Sequence, residues 1–352
     1  MSLHAPTPIG LPPKCAAPSA QDGGDVLSST VPPFRERAPW FGSDLQTLRN
    51  AVVGAPPDLP GGERLLLKIA GGDRLSARLD GPPVPLTRPL AVLVHGCAGS
   101  EASPSVVATA HHLTGQGWTV LRLNLRGSGS SRPIAAGHYH AGRTEDVEEA
   151  LRGLPAHLVR NGIILLGQSL GGNLILKFMG EGGHSLPVLA AVTVSAPIDL
   201  SGTCAKMLTW RNFFYERAML HAMKCEALAP GADLSTAERA AIAAARNVYE
   251  FDDRFIAPLF GYRGAEDYYE TNAAKNFLAG IQRPTLILHA LDDPWIPEAC
   301  YRAIDWSRLS MIEAVLTPRG GHLGFHGRGS RVPWHDRVTA WWLAKRFLQG
   351  PQ

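Results

Sequence analysis

The run Ile163-Ile164-Leu165-Leu166-Gly167-Gln168-Ser169-Leu170-Gly171-Gly172-Asn173-Leu174-Ile175-Leu176 joins an apolar, strand-type stretch to a helical pattern through Gly-x-Ser-x-Gly. That order, strand then sharp turn then helix, lifts a serine hydroxyl to the apex of the turn. The spacing predicts that Gly167 and Gly171 are glycine because a Cβ on either would meet neighbouring backbone. Gly172 then lets the helix begin close to its strand. A helix start behind the hydroxyl supplies unpaired N–H groups and a positive dipole end, which suit an oxyanion. Gly-x-Ser-x-Gly alone is common by chance, so its meaning depends on partners elsewhere in the chain.

A serine hydroxyl is a weak nucleophile at neutral pH and needs a base within hydrogen-bond reach and a third group to orient that base. After an elbow of this kind the chain order is serine, acid, histidine. Leu286-Ile287-Leu288-His289-Ala290-Leu291-Asp292-Asp293-Pro294 sets two aspartates in the turn after a buried strand. Asp293 is the expected acid, because Pro294 restricts it to extended backbone and so aims its carboxylate. Asp292 is the alternative, and otherwise a turn former or a solvated carboxylate. Thr317-Pro318-Arg319-Gly320-Gly321-His322-Leu323-Gly324-Phe325 follows the last apolar run. Its glycines let the loop bend over the site, which makes His322 the expected base. His326 competes, and with thirteen histidines in the chain position weighs more than residue type.

The oxyanion needs two N–H donors, one after the nucleophile and one from an earlier strand-end loop. Those are the backbone N–H groups of Leu170 and of Cys97 in His95-Gly96-Cys97. Cys97 as a nucleophile is a rival reading. It is disfavoured because Ser169 holds the elbow and no histidine is placed to serve the thiol. Arg126-Gly127-Ser128-Gly129-Ser130 is glycine-rich but lacks phosphate-loop or dinucleotide spacing, and reads as a structural turn.

These residues have to be positioned by strands and helices in alternation. Residues 64–69 and 74–79 bracket Ala70-Gly71-Gly72-Asp73 as a hairpin. Continuous apolar runs at 90–94, 119–124, 162–168, 190–195, 285–289 and 311–316 read as strands. Helical patterns at 104–116, 144–154 and 334–348 lie among them, and a short helix opens near Ser43 as N-cap. The repeat implies an α/β fold with a mostly parallel, doubly wound sheet. In such sheets ligands sit beyond the carboxyl ends of the strands, where His95, Ser169 and the Asp292/Asp293 pair all fall. The alternation breaks over 200–279, which is helical in pattern. We read it as a cap inserted over the site, with a separate helical domain as the rival. The organisation is then a Pro-rich arm over 1–33, a core of 34–199 with 280–352, and the insertion. No internal repeat is present.

With 352 residues, 45% hydrophobic and 18% charged, the chain can bury a large core. A net charge of +3 without a Lys/Arg block, and 7% aromatic residues, argue against a nucleic-acid partner. Five scattered cysteines without a CxxC pair argue against a disulfide framework or a zinc site. No apolar run is long enough to span a bilayer and no secretory signal opens the chain, so a cytoplasmic location is expected.

The assembled motifs resemble α/β-hydrolases of the YheT/EMB8 group, which includes ABHD1- and ABHD3-like proteins. The resemblance is carried by Asp44-Leu45-Gln46-Thr47-Leu48, His95-Gly96-x-x-Gly99-Ser100, Asn124-Leu125-Arg126-Gly127 and Tyr139-His140-Ala141-Gly142-Arg143-Thr144-Glu145-Asp146. Gly167-Gln168-Ser169-Leu170-Gly171-Gly172-Asn173, Tyr249-Glu250-Phe251-Asp252-Asp253, Asp267-Tyr268-Tyr269, Ala290-Leu291-Asp292-Asp293-Pro294 and Gly320-Gly321-His322-Leu323-Gly324-Phe325 complete it. It implies an α/β-hydrolase fold and a serine esterase or lipase acting on carboxylic esters, with nucleophile, acid and base at Ser169, Asp293 and His322. Cys97-Ala98 departs from the group, which tends to carry a bulkier apolar residue first, and the Pro-rich arm is extra. The expected reaction is hydrolysis of a small acyl ester, of short to medium chain or lipid-like, through an acyl-enzyme. Neither a metal nor an organic cofactor is needed. Transfer of the acyl group to an alcohol is the alternative within enzymes, and a non-catalytic ligand-binding protein is the alternative outside them.

Overall fold

The computed structural model describes residues 33–82, 86–182 and 186–348. The expected arm over 1–33 lies outside these residues apart from Pro33.

Strands β1 (Glu63–Lys68) and β2 (Arg74–Asp80) form the expected hairpin. Its turn puts Gly71 at φ 76°, a left-handed conformation that glycine adopts freely. Six further strands follow: β3 (Leu90–Val94), β4 (Val120–Leu123), β5 (Ile163–Gln168), β6 (Val188–Val194), β7 (Thr285–Ala290) and β8 (Ile312–Thr317). They make one eight-stranded sheet of order β1-β2-β4-β3-β5-β6-β7-β8. β2 pairs antiparallel with β4, and every pairing from β4 to β8 is parallel. All side chains of β3, β5 and β7 are buried. Alternate residues of a strand face opposite sides of a sheet, so both faces are covered, which is why these segments read as unbroken apolar runs. The chain leaves β3 towards β4 on one side and returns to β5 on the other. That reversal opens a crevice at the carboxyl ends of β3 and β5.

Helices fill the connections. They are α1 (Gly42–Val53), α2 (Pro104–Gly115), α3 (Thr144–Arg152), α4 (Ala156–Val159) and α5 (Leu170–Gly180). α2 packs on α13 (Trp334–Phe347), and α3 on α5. Ser43 does not cap α1 as expected. The N-cap position is Phe41, and the first N–H, on Gly42, donates to the Glu36 carboxylate instead (2.6 Å). The Arg126 turn is structural: the Arg126 guanidinium holds Asp146 with two bonds of 2.7 and 2.8 Å.

Between β6 and β7 the chain runs through α6 (Leu200–Met207), α7 (Phe213–Ala227), α8 (Thr236–Ala244), α9 (Val248–Phe251), α10 (Ala257–Leu259) and α11 (Ala265–Asn272). A π-helical turn at Asp252–Ile256 joins α9 to α10. Asp199 caps α6, and Ser235 with Glu238 forms a capping box on α8. These helices bury a second apolar cluster around Leu220, Met223, Phe251, Phe255, Tyr268 and Tyr269, apart from the sheet's own core. Leu170, the first residue of α5, touches both clusters. The short α12 (Glu298–Arg302) follows β7.

Candidate active site

Ser169 lies between β5 and α5 at φ 51° and ψ −123°. A non-glycine residue there stores roughly 1–3 kcal/mol of backbone strain. The surroundings hold it: the Ser169 N–H donates to Val194 O (2.9 Å), and Ser169 O accepts from Gly172 N–H (2.8 Å). The close approach accounts for the glycines. A Cβ on Gly167 would lie 2.5 Å from Gly171 O, and one on Gly171 would lie 2.3 Å from His95 O. At Gly172 a Cβ would meet the Ala196 methyl at 2.8 Å.

His322 sits in the loop after β8 with its Nε2 2.9 Å from Ser169 Oγ and its Nδ1 2.7 Å from Asp293 Oδ2. The other carboxylate oxygen of Asp293 accepts N–H bonds from Trp295 (2.8 Å) and Ile296 (3.1 Å). Burial alone would push this carboxyl up. The charge of His322, its hydrogen bond and the Trp295 N–H outweigh burial and hold Asp293 below the usual carboxylate range. Of the two aspartates, Asp293 is the one that meets His322. Asp292 instead accepts from Gly321 N–H (2.9 Å) and braces the loop. His326 is bonded through its backbone to Gln46, and its buried ring has no partner among the described residues.

The loop after β3 lies against the elbow, since a Cβ on Gly96 would be 3.0 Å from Ser169 Cβ. His95 anchors the loop, its Nδ1 2.8 Å from Gly96 O and its Nε2 accepting from Leu125 N–H (3.1 Å). A Gly99 N–H to Gly96 O bond of 3.2 Å closes a turn over Cys97 and Ala98. Ala98 N–H is taken by the Tyr139 hydroxyl. The N–H groups of Cys97 and Leu170 have no acceptor among the described residues, as donors reserved for a ligand require. Burial pushes the Cys97 thiol far up, so it carries no thiolate at neutral pH. Cys97→Ala is therefore expected to keep kcat for a p-nitrophenyl ester within about threefold, since the backbone donor survives. Stopped-flow or steady-state assay of that variant checks this.

Ser169, His322, Cys97 and Leu170 open on a cavity of about 890 Å³, part of it open to solvent. Apolar residues of α6, α7, α9 and the π-turn also line it: Leu200, Met207, Met219, Met223, Phe251 and Ile256. Two carboxyls, Glu226 and Asp252, also reach it. Burial raises each to about 7, with Tyr139 and Tyr269 as their respective hydrogen-bond donors. Asp252 thus keeps in the folded state a proton that the unfolded chain gives up at its ordinary pKa near 4. Stability from this group falls as pH rises from about 4 to about 7, then levels. Buried neutral His95, His138, His140, His289 and His326, lowered to about 3 or 4 chiefly by burial, act in the opposite sense. A difference measurement isolates Asp252. Asp252→Asn is expected to gain in Tm relative to the wild type on going from pH 5 to pH 8, by an equivalent of roughly 2–4 kcal/mol, as read by thermal unfolding at both pH values.

Several supporting residues were not singled out for a role by the sequence. Thr47 Oγ1 accepts from His322 N–H (2.8 Å), Asn50 Nδ2 donates to Leu323 O (3.1 Å), and buried Gln46 takes His326 N–H (2.6 Å). α1 is thus the brace of the histidine loop. Gln46 and Thr47 lie in the Asp44-Leu45-Gln46-Thr47-Leu48 motif, whose spacing alone does not say which loop it meets. Ser195, at φ 51°, accepts from Leu323 N–H (3.2 Å). The Trp295 ring lies 4.1 Å from that of His322, and Lys206 of α6 donates to Asp293 O (2.7 Å). Nothing in the spacing announced these long-range contacts.

Among the described residues no helix is long and apolar enough to cross a membrane. Residues 89–328 match the family described as alpha/beta hydrolase fold. The chain is 33% identical over 265 residues to the Escherichia coli protein YheT, covering 74% of this chain and 78% of that one. It is 26% identical over 275 residues to the monoacylglycerol lipase of Saccharomyces cerevisiae, covering 74% and 59%. The Pyrococcus furiosus esterase Pf2001 shares the fold at a TM-score of 0.54 and 14% identity, covering 84% of this chain and all of that one. On the motifs, the sheet order and these matches, the chain belongs to the α/β-hydrolase family, in the group that holds YheT, EMB8 and ABHD3.

Proposed function

We propose that this protein is a serine hydrolase that cleaves carboxylic esters of apolar acids through an acyl-enzyme on Ser169. The observation that carries the reading is the unbroken relay from Asp293 through His322 to Ser169, with bonds of 2.7 and 2.9 Å, opening on an apolar cavity. Ser169 Oγ attacks the ester carbonyl carbon while His322 Nε2 takes its proton. The negative charge that develops on the carbonyl oxygen is received by the Cys97 and Leu170 N–H groups. Collapse expels the alcohol, which leaves with the proton from His322. His322 then deprotonates a water that attacks the acyl-enzyme, and the acid departs as Ser169 regains its proton. Asp293 holds the imidazole in the tautomer that presents a bare Nε2 to the serine, and stabilises the imidazolium between the two proton transfers. The helices between β6 and β7 serve as a cap whose Met207, Met219, Met223 and Phe251 take the acyl chain. A yeast relative named as a monoacylglycerol lipase supports lipid esters among the substrates.

The test is a series of p-nitrophenyl esters of increasing chain length on the purified protein. The reading expects a burst approaching one p-nitrophenol per chain, then steady turnover, with short to medium acyl chains preferred. Free acid as the product, even with added alcohol, assigns water as the acceptor, whereas a new ester assigns acyl transfer. A folded sample that releases no p-nitrophenol above buffer would overturn the reading and leave a binding protein.

A further inference from the structure

Tyr139 belongs neither to the relay nor to the expected donors, yet its hydroxyl sits between the oxyanion loop and helix α7. It accepts the Ala98 N–H at 2.7 Å and donates to Glu226 Oε2 at 3.0 Å. A phenol has one proton. Spending it on the carboxylate turns the oxygen's lone pairs towards Ala98, and each bond polarises the other. The ring is fixed as well: it stacks on His138 at 4.9 Å and meets His95 edge-on at 6.0 Å. Ala98 needs such a hold, because its φ of 50° lies where a non-glycine residue stays only when its surroundings fix it. Ala98 also follows directly on Cys97, so the peptide that Tyr139 grips sets the direction of the neighbouring Cys97 N–H.

We propose that Tyr139 is a positioning residue for the oxyanion loop, and that Glu226 of α7 sets its hydroxyl, so that the helices over the site and the oxyanion donors are held as one unit. This rests on the esterase reading above. Loss of the Tyr139 oxygen leaves the Ala98 N–H without an acceptor and the turn free to rotate. The Cys97 N–H then no longer points where the carbonyl oxygen arrives, and the cost appears in the transition state and not in substrate binding.

The test compares Tyr139→Phe, Glu226→Gln and Glu226→Leu with the wild type, using a p-nitrophenyl ester and an alkyl trifluoromethyl ketone, which binds as a tetrahedral adduct. Tyr139→Phe is expected to lower kcat by roughly 10- to 100-fold with KM within about threefold. The ketone's inhibition constant should rise in step with the fall in kcat/KM. Glu226→Gln, whose amide oxygen still accepts from the phenol, should stay within about threefold of the wild type. Glu226→Leu should lose much of what Tyr139→Phe loses. Should Tyr139→Phe fail to fold, the Gln and Leu pair at 226 still decides. A kcat within twofold in Tyr139→Phe, a rise in KM alone, an unchanged ketone affinity, or equal activity of Gln and Leu at 226 would each overturn the proposal. Hydrolysis that persists in Ser169→Ala would instead overturn the esterase reading, so the two failures are told apart.

Discussion

Ser169→Ala is expected to lower kcat/KM for a p-nitrophenyl ester by roughly 10⁴- to 10⁶-fold, while the protein keeps its fold. The relay acts as a unit, so His322 and Asp293 have nothing to activate once the hydroxyl is gone. The residual rate is what the oxyanion donors and binding alone supply. Alanine is expected to tolerate the position, since the bonds that hold its backbone, Ser169 N–H to Val194 O (2.9 Å) and Gly172 N–H to Ser169 O (2.8 Å), do not involve the side chain. Thermal unfolding should therefore show a Tm at or slightly above that of the wild type, and circular dichroism an unchanged spectrum. Activity near the wild-type level in a folded Ser169→Ala sample would remove the nucleophile from the account.

Asp293→Asn is expected to lower kcat by roughly 10³- to 10⁴-fold. The reason is the tautomer. Asp293 Oδ2 accepts from His322 Nδ1 at 2.7 Å, which leaves Nε2 bare towards Ser169. An asparagine amide can donate to Nδ1 and so favour a proton on Nε2, where it cannot take one from the serine. The oxygen of the amide still accepts from Trp295 and Ile296, so the loop is kept and the fold with it. Asp292→Asn is the matched control. Its carboxylate holds Gly321 N–H, not the imidazole, and an amide oxygen can do the same, so activity within about threefold is expected. Equal losses at 292 and 293 would contradict the assignment of the acid.

The order of elements was legible because its signals are local. The strands β3, β5 and β7 are buried on both faces, so their apolar runs could not be missed, and the glycine pattern at 167, 171 and 172 follows from approaches of 2.3–2.8 Å, to backbone at 167 and 171 and to the Ala196 methyl at 172. Motif and chain order pointed to Ser169 and His322, and the fold brings their side chains to 2.9 Å of each other. Asp293 against Asp292 was a narrower choice, resting on one proline, and only the fold brings the two carboxylates to different partners. The cap of α1 was misread because Ser43 has the right chemistry for an N-cap, while the first N–H found the Glu36 carboxylate from outside the helix. The braces at Thr47, Ser195, Trp295 and Lys206 stayed hidden for the same reason. Each acts across a large sequence separation, and pattern carries no information on which loop a side chain will meet after folding.

One measurement bears most directly on the hydroxyl at position 169. The purified chain is treated with a fluorophosphonate, digested, and the modified peptide sequenced by mass spectrometry. The account predicts a single phosphonyl group per chain, on Ser169 in the peptide that spans β5 and α5, with loss of ester hydrolysis in proportion to labelling. A stable adduct on Cys97 or another residue, or full hydrolysis by chains labelled to completion, would contradict it.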